Sequence, residues 1–169
     1  MKRFIIPIII IYFSISAIAN DSLLDNKADL NEIMKIDMNS TKDKMNYLLH
    51  KLSIGKKYYY KDHKVFFNYV IIGSWSSPPH VAYLFKKNNE YLMSTPYAKN
   101  KIGAWKITEN GLELYINGKI NILKILYFHT DKDREENRYY FSILFDDPRF
   151  LLTIDTDLAI IWEKDPMFH

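Results

Sequence analysis

The chain has 169 residues, with 23 Lys plus Arg against 20 Asp plus Glu, 48% hydrophobic and 15% aromatic content, and no Cys. The missing thiols exclude disulfide scaffolds, thiolate metal sites and cysteine nucleophiles, and the length with abundant large apolar residues predicts one globular core. A formal charge of +3, carried by scattered lysines, gives no broad field for phosphate backbones, so a nucleic-acid partner is not expected.

Met1-Lys2-Arg3 supplies a positive start, Phe4 to Ser16 an apolar run, and Ala17-Ile18-Ala19 a small-x-small site before Asn20-Asp21. This pattern reads as a secretory leader, residues 1–19, cleaved between Ala19 and Asn20. The run is shorter than the roughly 20 apolar residues of a spanning helix, and Pro7 interrupts it. With no Cys at the cleavage site a lipid anchor is not expected, so the mature chain is read as periplasmic or secreted, neither spanning a membrane nor lipidated. Losing Lys2 and Arg3 brings its charge close to neutral.

Residues 20–64 form an expected N-terminal unit. Asn20 to Asn39 is polar and reads as a tether with at best a short helix from about Asp29 to Lys35. Ser40 or Thr41 can cap a helix over about 41–53, Asp43 suits its positive end and Gly55 its stop. Met45, Leu48, Leu49 and Leu52 make one apolar stripe, with Lys42, Lys44, Asn46 and Lys51 on the other side. The stripe is expected to pack on the protein's own sheet. Lys56-Lys57-Tyr58-Tyr59-Tyr60-Lys61 then reads as an amphipathic linker between helix and sheet.

From Val65 to the end, residues 65–169, the expected domain is built of strands. Runs rich in Val, Ile, Tyr and Phe near 65–76, 80–86, 90–95, 101–108, 111–117, 119–128, 139–145, 150–154 and 159–163 are divided by turn residues. Asn110-Gly111 and Asn117-Gly118 are tight-hairpin signals, because Asn and Gly tolerate the positive φ angles of type I′ turns. The fold class is therefore mainly β, an antiparallel meander with one amphipathic helix packed outside. It disfavours parallel α/β sheets and their phosphate-cradling loops. Along Ile120 to Phe128 the polar positions shift from Lys119 and Asn121 to Lys124, which predicts a bulge where a long strand bends. Val81–Phe85 and Leu158–Trp162 are apolar on both faces and need covering on the outside.

Ile72-Gly73-Ser74-Trp75-Ser76, Tyr83-Leu84-Phe85, Glu90-Tyr91, Ile102-Gly103-Ala104-Trp105-Lys106-Ile107 and Gly111-Leu112-Glu113-Leu114 together resemble small bacterial lipocalin-like domains of the calycin type, over about 65–165. The resemblance implies an eight-to-ten-stranded up-and-down barrel, often with a cavity for an apolar ligand, and Trp75 closing its narrow end. It also implies an Arg packed over that Trp, for which Arg149 is the candidate. On physical grounds Gly73 and Gly103 allow close backbone approach, while Trp75 and Trp105 fill space and need partners for their ring N–H groups.

The five histidines, His50, His63, His80, His129 and His169, lack ligand spacing and read as surface or satisfied residues. Ser74, Ser76 and Ser77 near His80 have no orienting acid and no nucleophile elbow. If the meander alternates ends, Asp131, Asp133, Glu135, Glu136, Asp155 and Asp157 gather on one rim as oxygen donors for a cation such as Ca²⁺, although Lys132, Arg134 and Arg138 interleave with them. No catalytic residue and no cofactor are assigned. The leading expectation is a non-catalytic exported barrel for a small apolar molecule, identified by a hollow interior. Its alternative is a protein-interaction module, an envelope accessory factor, inhibitor or immunity protein using an exposed aromatic or apolar sheet face. Oligomers fit either reading. A paired-carboxylate hydrolase is a third class, but no pair stands out.

Overall fold

The computed structural model describes residues 35, 41–77, 80–133, 135 and 138–155. The leader with Ala17, Ala19 and Asn20, the helix expected from Asp29, the Ser40 cap, Glu136, Asp157 and the strand expected at 159–163 lie outside these residues.

Helix α1 spans Thr41–Lys51, with Asp43 in its first turn and His50 and Lys51 in its last, each at the end its charge favours. The expected stripe is inward: Met45, Leu48 and Leu52 are buried and Leu49 packs against the core. One residue departs from the pattern. Lys44, expected on the polar side, is fully buried beside Met45. Beyond the helix the Gly55 amide donates to the Thr130 carbonyl at 2.8 Å, and the Thr130 hydroxyl donates to the Ser53 carbonyl at 2.9 Å.

The basic aromatic segment is a strand rather than a linker. β1, Lys57–Tyr59, pairs with β8, Ile125–Lys132, setting Lys57 opposite His129 and Tyr59 opposite Tyr127. Alternation explains this: Tyr58 is buried between exposed Lys57 and Tyr59. A single 3-10 turn, Tyr60–Asp62, leads to a second helix, α2, Lys64–Val70.

That helix corrects the strand expected at 65–76. Val65, Phe66, Phe67, Tyr69 and Val70 favour strands intrinsically, but such preferences yield to tertiary packing. Phe66, Phe67, Val70 and Ile71 are buried while Val65 and Asn68 face out, a helical spacing. The Phe66 ring meets Phe67 and Phe128 edge-on, with centroids 5.8 and 5.6 Å away. The strand proper, β2, is Gly73–Ser77.

The remaining strands are β3 (Val81–Phe85), β4 (Glu90–Thr95), β5 (Ala98–Thr108), β6 (Gly111–Ile116), β7 (Lys119–Leu123), β9 (Tyr139–Phe145) and β10 (Leu151–Asp155). The ten strands among the described residues form one antiparallel sheet in the order β1-β8-β9-β10-β2-β3-β4-β5-β6-β7, curled into a half-barrel. The expected strand at 119–128 breaks at Lys124, so β7 pairs with β6 while β8 pairs with β9. Its bulge falls between Ile125 and Tyr127, where the register with β9 shifts.

Of the two hairpin signals, Asn117-Gly118 forms the expected turn, with φ of 49° and 74°. The other is displaced by one residue: Thr108 pairs with Gly111, so the loop is Glu109-Asn110 and Gly111 opens β6. Its Cβ would stand 2.3 Å from the Leu123 carbonyl oxygen, so this glycine serves a close approach at the β7–β8 break.

The concave face holds the core. Cross-strand pairing and alternation put Trp75, Tyr83, Phe85, Tyr91, Trp105, Leu112, Leu114, Phe128, Phe141, Ile143, Leu152 and Ile154 on it. α1 and α2 join the same cluster through Met45, Leu48, Phe66 and Phe67. α1 thus packs on the concave side instead of the outside. Among the described residues no helix is long and apolar enough to cross a membrane.

Candidate functional site

The two Gly-x-Trp segments are structural joints. Trp75 is fully buried and its ring N–H donates to the Ile71 carbonyl at 2.7 Å. Trp105 donates to the Lys86 carbonyl at 3.1 Å. Gly73 opens β2 opposite Phe85. Gly103 lies opposite Tyr91, and a Cβ there would sit 2.5 Å from the Tyr91 ring and 2.3 Å from the Tyr115 carbonyl oxygen.

The cation over Trp75 is not Arg149. That side chain is exposed and its guanidinium grips Asp147 in a two-residue bridge, at 2.9 Å from each carboxylate oxygen. Lys44 takes the place instead. Its Nζ lies 4.3 Å from the Trp75 ring centre and donates to the Ile72 carbonyl at 2.9 Å. Among the described residues no carboxylate balances it, and burial lowers its pKa to about 7.

Register places Asp131 and Asp155 in one row on either side of Tyr140, two strand spacings or about 10 Å apart. The Asp131 carboxylate accepts from the Lys132 amide at 2.7 Å and that of Asp133 from the Glu135 amide at 2.8 Å. Among the described residues no three His, Asp or Glu side chains gather as a metal site. Ser74 and Ser77 are buried while His80 is exposed. His63 is buried with its ring edge-on to Tyr58.

One cluster has no counterpart in the sequence reading. Glu113, on the convex face of β6, accepts hydrogen bonds from Tyr115, from Thr108 at 3.0 Å, and from Lys106 at 3.0 Å. The Tyr115 hydroxyl and the Lys106 ammonium hold its carboxyl below the usual range. Its spacing signal is a plain strand alternation, Glu113 across from Lys106 with Tyr115 two residues on, which any solvated sheet displays.

Around that cluster the convex face carries rows of apolar residues among the exposed Glu90 and Lys106. Cross-strand partners share a face, so Leu84, Leu92 and Ile102 form one row across β3, β4 and β5. Glu90, Ala104, Tyr115 and Ile120 form the next across β4, β5, β6 and β7, with Ile122 opposite Glu113. Ile102 is 69% exposed, Ile120 58% and Ile122 53%. These residues were legible as strand residues, but their shared face depends on the β3–β7 register.

The interior is occupied by side chains. Tyr83 stacks on Phe85 at 5.8 Å and meets Phe150 edge-on at 5.6 Å. Phe85 meets Trp105 at 5.6 Å, and Phe145 meets Phe150 at 4.8 Å. No family model, curated protein or solved structure matches the chain.

Proposed function

We propose that the protein is an exported, non-catalytic interaction module of lipocalin-like architecture that engages another exported polypeptide through the convex face of β3–β7. The observation that carries this reading is the exposed isoleucine surface, Ile102, Ile120 and Ile122, aligned with Leu92 and Tyr115 on one face. Exposed apolar side chains mixed with the charges of Glu113, Lys106 and Glu90 suit a protein partner, and Tyr115 offers large contact area at low entropic cost.

The lipocalin-like reading draws support from connectivity. Taking β7 and β8 as one strand kinked at Lys124 leaves β2 to β10 in sequential order, with β10 back beside β2. Gly73-x-Trp75 opens that series. Export rests on the leader motif before Asn20. Asp131, Asp133, Asp155 and Asp157 are given no cation-binding role in this reading.

A second reading, an apolar small molecule on the concave side, is favoured by the partly buried Val81, Met93 and Phe150 packed against the core near Tyr83. Burial pushes the Tyr83 hydroxyl up to about 12, so it stays a neutral donor there. The ring-on-ring filling of the interior makes this the lesser reading.

The test is a photoreactive residue at Ile102 in cells producing the full chain, with a second at exposed Lys61 as control. A defined polypeptide adduct from position 102 alone is expected. Equal labelling from both positions, or none from 102, would remove the proposal.

A further inference from the structure

β7 is one margin of the sheet, and its backbone directions follow from the turn that precedes it. Asn117 and Gly118 both have positive φ, so Ile116 and Lys119 flank a two-residue hairpin and face each other. In such a hairpin the flanking pair exchanges both ladder bonds, and bonded and non-bonded pairs alternate along the strand. Lys119, Asn121 and Leu123 therefore turn their amides and carbonyls toward β6. Those of Ile120 and Ile122 point to the margin, where no strand among the described residues pairs, and their side chains are exposed on the convex face.

A row of outward amides and carbonyls is a template for another strand, and proteins commonly guard it with short length or lysines. The opposite margin is guarded in that way. β1 is only three residues long, and its Lys57 is drawn over Tyr127 at 4.6 Å. β7 has no such guard at its centre, where Ile120, Asn121 and Ile122 are all exposed.

We infer that β7 pairs antiparallel with β7 of a second copy of this chain, about a twofold axis at Asn121. The inference rests on the convex face being an interaction surface and names one of its occupants. In this register Ile120 stands opposite the partner's Ile122, and Ile122 opposite the partner's Ile120, so every outward amide and carbonyl of these two residues gains a ladder bond. The isoleucines form apolar cross-strand pairs on the convex face. Lys119 faces the partner's Leu123 and Lys124 the partner's Gly118, so no lysine stands opposite a lysine. Sliding by two residues is worse in either direction. It sets Ile122 against the Asn117–Gly118 turn, or Ile120 against Lys124, whose carbonyl already accepts from the Asp146 amide at 3.0 Å. The symmetric contact joins two convex faces into one continuous apolar strip, with self-complementarity of the kind a twofold interface requires.

The test is sedimentation and light scattering on the secreted chain at low and high concentration, with Ile120→Pro and Ile122→Pro alongside. Proline at these positions removes an amide that points away from β6 and leaves the β6–β7 ladder whole. The wild type is expected at twice the monomer mass, both variants at monomer mass with unaltered circular dichroism. Amide exchange is expected to be slow at Ile120 and Ile122 in the wild type. A monomeric wild type at every concentration, or fast exchange at both amides, overturns the inference, as does a dimer that survives both prolines. Ile102→Lys, away from the margin, separates the two proposals: it leaves the dimer intact but loses the co-purifying heterologous chain. A monomer that still forms the adduct removes the dimer alone, and a dimer without any adduct removes the other.

Discussion

Lys44 of α1 stands over Trp75 of β2, its Nζ 4.3 Å from the ring centre, and the two side chains donate to consecutive carbonyls, Ile72 and Ile71. Those carbonyls lie at the end of α2, where the last carbonyls of a helix lack internal partners and attract donors. One joint thus fastens both helices to the sheet. The ring face favours the ammonium by about 0.5–2 kcal/mol, yet burial prevails and draws its pKa down to about 7.

This sets a pH dependence. The unfolded chain keeps the Lys44 proton up to its ordinary 10.5 while the folded chain releases it near 7. Between these values the unfolded state binds more protons, so stability rises with pH. Urea unfolding at several pH values is expected to show that rise in the wild type and a flatter profile in Lys44→Met. Parallel profiles would show that Lys44 stays charged when folded.

Trp75 bears on the same joint. Replacing it by alanine is expected to cost about 3–5 kcal/mol. Trp75→Phe keeps most of the ring but leaves the Ile71 carbonyl without its donor, for about 1–3 kcal/mol. Denaturant midpoints rank the two, and a phenylalanine variant equal to wild type would show that the hydrogen bond adds nothing.

Gly103→Ala places a methyl group 2.3 Å from the Tyr115 carbonyl oxygen, which belongs to the backbone and yields little. A loss of about 1–3 kcal/mol is expected from overpacking, read as a lower thermal midpoint. An unchanged midpoint would mean that β5 and β6 separate easily.

Glu113 acts at the acid end. Tyr115 and Lys106 hold its folded pKa below the usual carboxylate value, so its contribution is present above the unfolded pKa and lost as pH falls through the folded one. Glu113→Gln is expected to flatten the acid limb of the stability profile. An identical acid limb in the variant would place that dependence elsewhere.

α1 was legible because its apolar residues recur at helical spacing, and most β strands because their runs end at turn residues. Lys44 was not, since a lysine on a short helix is ordinarily solvated and only the Trp75 ring and Ile72 carbonyl give it a buried place. α2 was hidden by side chains that prefer strands, its helix being fixed by packing of Phe66 on Phe128, far along the chain. The Lys124 break showed as a slipped alternation, but the change of strand partner it serves is a tertiary fact. The convex isoleucine face was open only as a general expectation of apolar strands, because register decides which of them line up.

The central claim is that the convex face of β3–β7 receives another exported polypeptide. It is tested most directly by comparing wild type and Ile102→Lys, purified from their native compartment, for a stoichiometric co-purifying chain, with urea midpoints measured on both. Ile102 is 69% exposed, so its replacement should shift stability by no more than about 0.5 kcal/mol. The account predicts a partner on the wild type and its loss from an equally stable variant. Full retention of the partner by Ile102→Lys would contradict it.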